Sequence, residues 1–278
     1  MSPAQVQLIH SWLSTEESAK VSRFTQASAR DRGLMVRGYL RGILSLCSGF
    51  EGISCDRALV PGDWRFQYGD KGKPSLVPEQ REKSGLEFNI SHSGDWLLIA
   101  VIKDSMTAPG HIELGVDIER YRASTDIYPI LNHYFTQDES DSLLALDEEG
   151  QRDRFFDLWA LKESYIKAKG LGLALSLKTF SFGFTQVREG SLALYEDNTL
   201  IESLSLLSHL DLYIHDEGSS ARQNEEGRTH LKIADDEWSV FLGRLDSEYR
   251  FAVTVGSRAR YALDADKMEL ACLLARYQ

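Results

Sequence analysis

Two pairs of residues in this chain have the types and spacing to handle phosphate or a metal ion. In residues 112–119, Ile112, Leu114, Val116 and Ile118 alternate with Glu113, Gly115, Asp117 and Glu119. That is the pattern of a strand with one apolar face, so Asp117 and Glu119 point the same way, about 7 Å apart. Like charges so placed repel each other unless a cation or basic group lies between them, and Gly115 on the same face leaves room for a ligand. A divalent metal satisfies this pattern; the solvated outer face of a sheet carries it equally well. The second pair is Glu163 and Lys167, one helical turn apart, with Lys162 near the same edge. Such a helix face can support a phosphate site, although an ordinary solvated i,i+4 pair has the same spacing and contributes only roughly 0.3 kcal/mol.

These residues need rigid elements to hold them. Phe155, Phe156, Leu158, Trp159 and Ile166 recur at helical spacing and Gly170 stops the pattern, which predicts a helix over 151–169. Thr136 and Glu139 form a capping box that opens a short helix to about residue 146, with Gly150 separating the two. Phe88 and Ile90 alternate inward along 87–91, and the polar turn 92–95 leads into the apolar run 96–102. This predicts a hairpin with Ser91 and His92 at a strand end; for His92 a structural and a ligand-binding role both remain open. Lys71-Gly72-Lys73-Pro74 reads as a turn. Leu34, Met35, Tyr39, Leu40, Ile43 and Leu44 predict a core-packed helix over 28–46, with Arg30, Arg37 and Arg41 outside. Before it, 6–13 reads as a strand and 14–17 as a capped helix start. Beyond residue 173 the alternation of Phe180, Phe182 and Phe184, of Leu192 and Leu194, of Val240, Leu242 and Leu245, and of Phe251, Val253 and Val255 predicts strands. Residues 215–230 read as a mobile surface loop and 268–277 as a helix docked on the body.

With 278 residues, 42% of them hydrophobic, the chain can build one large domain or two smaller ones. A formal net charge of -11 argues against general nucleic-acid binding. The basic stretch from Lys20 to Arg41 suits a small anionic ligand or an acidic partner. Neither a membrane span nor a secretory signal is visible, so a cytoplasmic protein is expected. Three cysteines without metal-ligand spacing, Cys47, Cys55 and Cys272, fit a reducing compartment.

Three blocks, in this order and spacing, resemble the 4'-phosphopantetheinyl transferases of the surfactin-synthetase type. They are Phe88-Asn89-Ile90-Ser91-His92-Ser93, Gly115-Val116-Asp117-Ile118-Glu119, and Trp159-Ala160-Leu161-Lys162-Glu163-Ser164 with Lys167 and Gly170-Leu171-Gly172-Leu173. The similarity covers roughly residues 14–185 and includes Gly72-Lys73-Pro74. It implies an α+β chain of two similar halves, 1–122 and 123–278, with the active site in the cleft between them. It also implies transfer of the phosphopantetheine arm from coenzyme A to a serine of an apo acyl or peptidyl carrier protein. By this resemblance Asp117, Glu119 and Glu163 bind magnesium, and Lys167 stabilises the transferring phosphate. Glu163, or a water held by it or by Glu119, takes the serine proton. Ser91 and His92 meet the phosphates; Lys20 and Arg32 lie near the 3'-phosphate; Gly72, Lys73 and Pro74 border the adenine; Lys162 holds the metal carboxylates or a phosphate. Glu17 stands where the family pattern suggests a basic residue. A monomer is expected, with no nucleic acid or membrane partner and with a basic or apolar docking patch to which Arg37 and Arg41 contribute. The alternatives are a metal-dependent phosphohydrolase and an inactive carrier- or coenzyme A-binding module.

Overall fold

The computed structural model describes residues 1–49, 59–103, 112–215, 237–257 and 259–278. The chain opens on helix α1 (Pro3–Trp12), where residues 6–13 read as a strand from the sequence. Ser2 caps it in a box with Gln5, Pro3 begins it, and Ile9 and Trp12 are buried three residues apart, a helical spacing. Helix α2 (Thr15–Ser22) follows from Ser14 in the expected box with Glu17, and the long helix α3 (Ala27–Ser48) carries the predicted apolar stripe.

The strands β1 (Phe66–Tyr68) and β2 (Pro74–Leu76) flank the Lys71–Lys73 turn, in which Gly72 has φ +83°. Helix α4 (Pro78–Ser84) leads to the hairpin β3 (Leu86–Ser93) and β4 (Trp96–Lys103), closed at Gly94-Asp95 with Ser93 opposite Trp96. After β5 (Glu113–Arg120) come α5 (Ile127–Tyr134), α6 (Gln137–Leu144) and α7 (Glu148–Lys169). Helix α7 begins earlier than expected, because Asp147 caps it by accepting from the N–H of Gly150, which therefore lies inside the first turn and not between helices. The remaining elements are β6 (Phe180–Gly183), β7 (Arg188–Glu196), β8 (Thr199–Ser208), β9 (Asp211–Ile214), β10 (Trp238–Arg244), β11 (Tyr249–Gly256), β12 (Ala265–Asp266) and α8 (Leu270–Ala275). The expected loop at 215–230 lies outside the described residues beyond His215.

The fold is α+β. Among the described residues, β12, β7, β8, β10, β11 and β5 form one six-stranded sheet in that order, with β5 at its edge, antiparallel to β11. Helix α7 covers one face, packing Phe156, Leu161, Tyr165 and Ile166 with Val240, Leu242 and Ala252. On the other face Leu114, Val116 and Ile118 join Phe251, Val253 and Val255, and the β4 residues Trp96, Leu98 and Ala100 pack against them. The intervening β4 residues Ile99 and Val101 pack with Leu40 and Leu44 of α3. Strand β4 is apolar without alternation because it is sandwiched between two cores.

At the end of the chain α8 returns to α3. Leu273 and Leu274 are fully buried, a Cβ on Gly42 would lie 2.8 Å from Leu273, and the Tyr277 hydroxyl donates to the Gly42 carbonyl at 2.9 Å. Among the described residues no helix is long and apolar enough to cross a membrane.

The sequence suggested that Gly115 leaves space for a ligand, but its space is taken by backbone. A Cβ there would fall 1.9 Å from the Ser164 carbonyl oxygen and 2.3 Å from the Ala168 nitrogen, so the glycine lets α7 lie directly on β5. Gly115→Ala is therefore expected to destabilise the fold by about 3 kcal/mol. Chemical denaturation of the purified variant checks this, and wild-type stability would contradict the close approach.

Candidate active site

Among the described residues strand β5 sits at the edge of its sheet, so every second backbone group along its outer side lacks a strand partner there. The N–H groups of Val116, Ile118 and Arg120 donate to Asn89 Oδ1 at 3.0 Å, Ser91 Oγ at 3.3 Å and Ser93 Oγ at 3.2 Å. These acceptors share one face of β3, two residues apart, and match the period of β5. Lys73 Nζ completes the edge by donating to the Leu114 carbonyl, and to that of Ala168 near the end of α7, each at 3.0 Å.

The candidate site lies at this seam. Asp117 is 3% exposed on the β5 face that meets α7. Its Oδ1 accepts from Lys167 Nζ at 2.6 Å and from Ser91 Oγ at 2.9 Å, and Lys167 also donates to Ser91 Oγ at 2.7 Å. Asp117 Oδ2 is buried without a hydrogen-bond partner, the one acceptor among the buried side-chain atoms left unpaired in the described residues. Glu119 is pushed up to about 7 by burial and then by the charges of Asp117 and Glu163, against Lys167 and Arg122. Glu163 is raised by burial and then by Asp117, with Lys167 opposing. Three carboxylates thus share one electrostatic neighbourhood that is short of positive charge, which is the chemistry of a divalent-cation site. Among the described residues, no group of three His, Cys, Asp or Glu side chains is arranged to hold a metal ion by itself. Magnesium is commonly held by one or two carboxylates together with substrate phosphates and water, so the donor set and the unpaired Oδ2 fit it.

The other expected residues are distributed as follows. Ser91 is buried and its hydroxyl is committed to Asp117, Lys167 and the Ile118 N–H, not open to a phosphate. His92 is exposed on the opposite face of β3, so the two neighbours do not converge. Lys73 has two donors engaged by backbone carbonyls and burial pulls its ammonium down. It lies 3.3 Å from a Cβ built on Gly170, which sets the turn holding Gly72 and Pro74 beside the end of α7. Lys20 is exposed over the Tyr68 ring at 3.5 Å, and Arg32 is exposed on α3.

Lys162 does not reach Asp117, Glu119 or Glu163, the carboxylates it was expected to hold. Fully buried, its three donors go to Glu139 Oε2 and to the carbonyls of Leu177 and Phe180, each at 2.8 Å. Adjacent helical residues diverge by about 100°, which sends Glu163 toward β5 and Lys162 into the core. Arg41, expected on the outer face of its helix, is buried. At 2% exposure it bonds Glu17 at 2.5 Å and the carbonyls of Pro61 and Trp64, while Arg37 leans on the same Glu17 at 3.9 Å and on the Gly33 carbonyl. Neither forms an open docking charge, and Glu17 is explained as the buried partner of Arg41.

Sequence reasoning assigned no role to Asn89 and Ser93. The signal available was the polar period Asn89, Ser91, Ser93 on a strand whose other face is apolar.

Residues 1–104 match the family model "4'-phosphopantetheinyl transferase, N-terminal", and residues 113–223 match "4'-phosphopantetheinyl transferase superfamily". The chain is 32% identical over 189 residues to 4'-phosphopantetheinyl transferase Sfp of Bacillus subtilis, covering 68% of this chain and 74% of that one. It is 34% identical over 171 residues to 4'-phosphopantetheinyl transferase HetI of a Nostoc species, covering 62% and 65%. The L-aminoadipate-semialdehyde dehydrogenase-phosphopantetheinyl transferase of Rattus norvegicus is 28% identical over 208 residues, covering 72% and 62%. The match thus spans a little under two thirds of the Nostoc and rat relatives. The chain belongs to the 4'-phosphopantetheinyl transferase family. Within it, the chain is of the Sfp type, and neither the phosphohydrolase nor the inactive-module alternative finds support among these relatives.

Two outcomes follow from the charges. Glu119 has a folded-state pKa above its unfolded value, so the folded chain holds the extra proton and stability falls as pH rises from about 4.5 to about 7. Without metal, Glu119→Gln should melt higher than wild type at pH 8 and near it at pH 5; equal differences at both pH values would contradict the shift. Lys162→Met should lower stability by about 3–5 kcal/mol, because Glu139 stays buried without its cation. Denaturant unfolding reads that loss, while coenzyme A affinity of the folded fraction should not change.

Proposed function

We propose that the chain transfers the 4'-phosphopantetheine arm of coenzyme A to a serine of an apo carrier protein and releases adenosine 3',5'-bisphosphate. The observation that carries this reading is the buried, unpaired Asp117 Oδ2 beside two carboxylates, Glu119 and Glu163, raised by burial and then by its charge, with Lys167 adjacent. Asp117 and Glu163 would hold magnesium, with Glu119 direct or through water; a bound magnesium supplies a positive charge for the phosphate oxygens. Lys167 has one donor beyond Asp117 and Ser91 and offers it to the transferring phosphate. The new bond joins the serine oxygen to the β-phosphorus as the bridge to the α-phosphate breaks. The serine proton passes to Glu163, or to a water held by it or by Glu119. His92, Lys20 and Arg32 remain exposed for the phosphates of coenzyme A, and the turn containing Gly72, Lys73 and Pro74 borders the adenine. In this reading the protein acts as a cytoplasmic monomer, without a nucleic-acid or membrane partner.

Incubation of apo carrier proteins with the protein, coenzyme A and magnesium, read by intact mass, tests this. The carrier should gain one phosphopantetheine arm, chelation should abolish the gain, and Asp117→Asn or Glu163→Gln should slow it about 10²–10³-fold. Metal-independent transfer, or variants at wild-type rate, would overturn the assignment.

A further inference from the structure

The Ser91 hydroxyl has one donor and two acceptor positions, and all three are occupied. The proton goes to Asp117 Oδ1 at 2.9 Å, while the Ile118 N–H at 3.3 Å and Lys167 Nζ at 2.7 Å take the acceptor positions. The residue is 6% exposed, so water does not compete. Its place is fixed from both sides along β3, because Asn89 and Ser93 bind the next N–H groups of β5 in register.

From this geometry we propose that Ser91 is a positioning residue for the transfer reaction. It turns the Asp117 carboxylate so that Oδ1 is spent on protein donors and Oδ2 stays free for the cation. It also fixes Lys167 Nζ at a corner shared by β3, β5 and α7. Without the hydroxyl, Asp117 Oδ1 loses a neutral donor, Lys167 loses an acceptor and the Ile118 N–H is left unpaired in a buried edge. The carboxylate is then free to rotate and to close onto Lys167 with both oxygens, in competition with the cation. The role rests on the transferase reading and differs from a phosphate contact, for which Ser91 has no hydrogen-bonding capacity left.

The test compares wild type, Ser91→Ala and Ser91→Thr, the last keeping the hydroxyl. Calorimetry measures coenzyme A affinity in chelator and manganese affinity without coenzyme A, and kinetics give kcat, KM and the magnesium requirement. Ser91→Ala should weaken manganese binding and raise the magnesium requirement about tenfold, as loss of a group that orients a metal ligand does. It should lower kcat with little change in KM for coenzyme A, leave metal-free coenzyme A affinity within about twofold, and be rescued by threonine. Weakened metal-free coenzyme A binding with unchanged metal affinity would overturn the proposal in favour of a phosphate contact, and so would an unaffected Ser91→Ala. If the alanine variant does not fold, Ser91→Cys, similar in shape and a weak hydrogen-bonding group, carries the same expectations. If wild type transfers no arm, the transferase reading fails while the manganese comparison still decides the role of Ser91.

Discussion

A sheet edge whose backbone is satisfied by side chains governs this molecule. Strand β5 pairs with β11 on one side, but on the other its polar groups meet Lys73, Asn89, Ser91 and Ser93. Buried N–H and C=O groups left unpaired are costly, so these four side chains are held to the register of β5 as firmly as a strand would be. They come from the N-terminal hairpin and from the turn before it, so the same bonds join the early part of the chain to the later sheet. On its third side β5 meets the α7 backbone, which only a glycine at position 115 permits. Asp117, two residues on, is therefore fixed by three elements before any ligand arrives.

The distribution of buried charge separates structure from chemistry. Glu17 with Arg41, Glu139 with Lys162 and Asp157 with Arg250 are buried pairs in which the carboxylate has a close cationic partner. Away from the seam, the first two join helices and the third joins α7 to β11. At the seam, Asp117, Glu119 and Glu163 share Lys167, with Arg122 as a weaker influence on Glu119, and one buried carboxylate oxygen, Asp117 Oδ2, has no partner among the described residues. A deficit of positive charge maintained by a rigid frame is poorly suited to stability and well suited to binding a cation that arrives with a phosphate.

Much of this was legible in the sequence because local rules agreed with the tertiary structure. The boxes at Ser14 and Thr136, the stop at Gly170 and the alternation along β5 are satisfied where they were expected. Where local reading failed, a distant partner decided. Gly115 looked open because the α7 backbone that fills its space is some fifty residues away in the chain. Arg41 looked like a surface cation and Lys162 like a cation of the site because the buried acids that meet them, Glu17 and Glu139, lie in other helices. Residues 6–13 read as a strand, but Ser2 and Pro3 upstream set a helix start, and the apolar residues fall at helical spacing. Ser91 and His92 were read together as neighbours, whereas a strand sends them to opposite faces.

A crystal of the protein grown with coenzyme A and manganese in place of magnesium would examine the seam most directly, through the anomalous signal of the metal. If the frame around β5 is built to hold a cation against a pyrophosphate, a single manganese peak will be bonded to Asp117 Oδ2 and to the phosphates, with Ser91 still on Oδ1. Manganese bound elsewhere, or coenzyme A seated with Asp117 Oδ2 left unengaged, would contradict it.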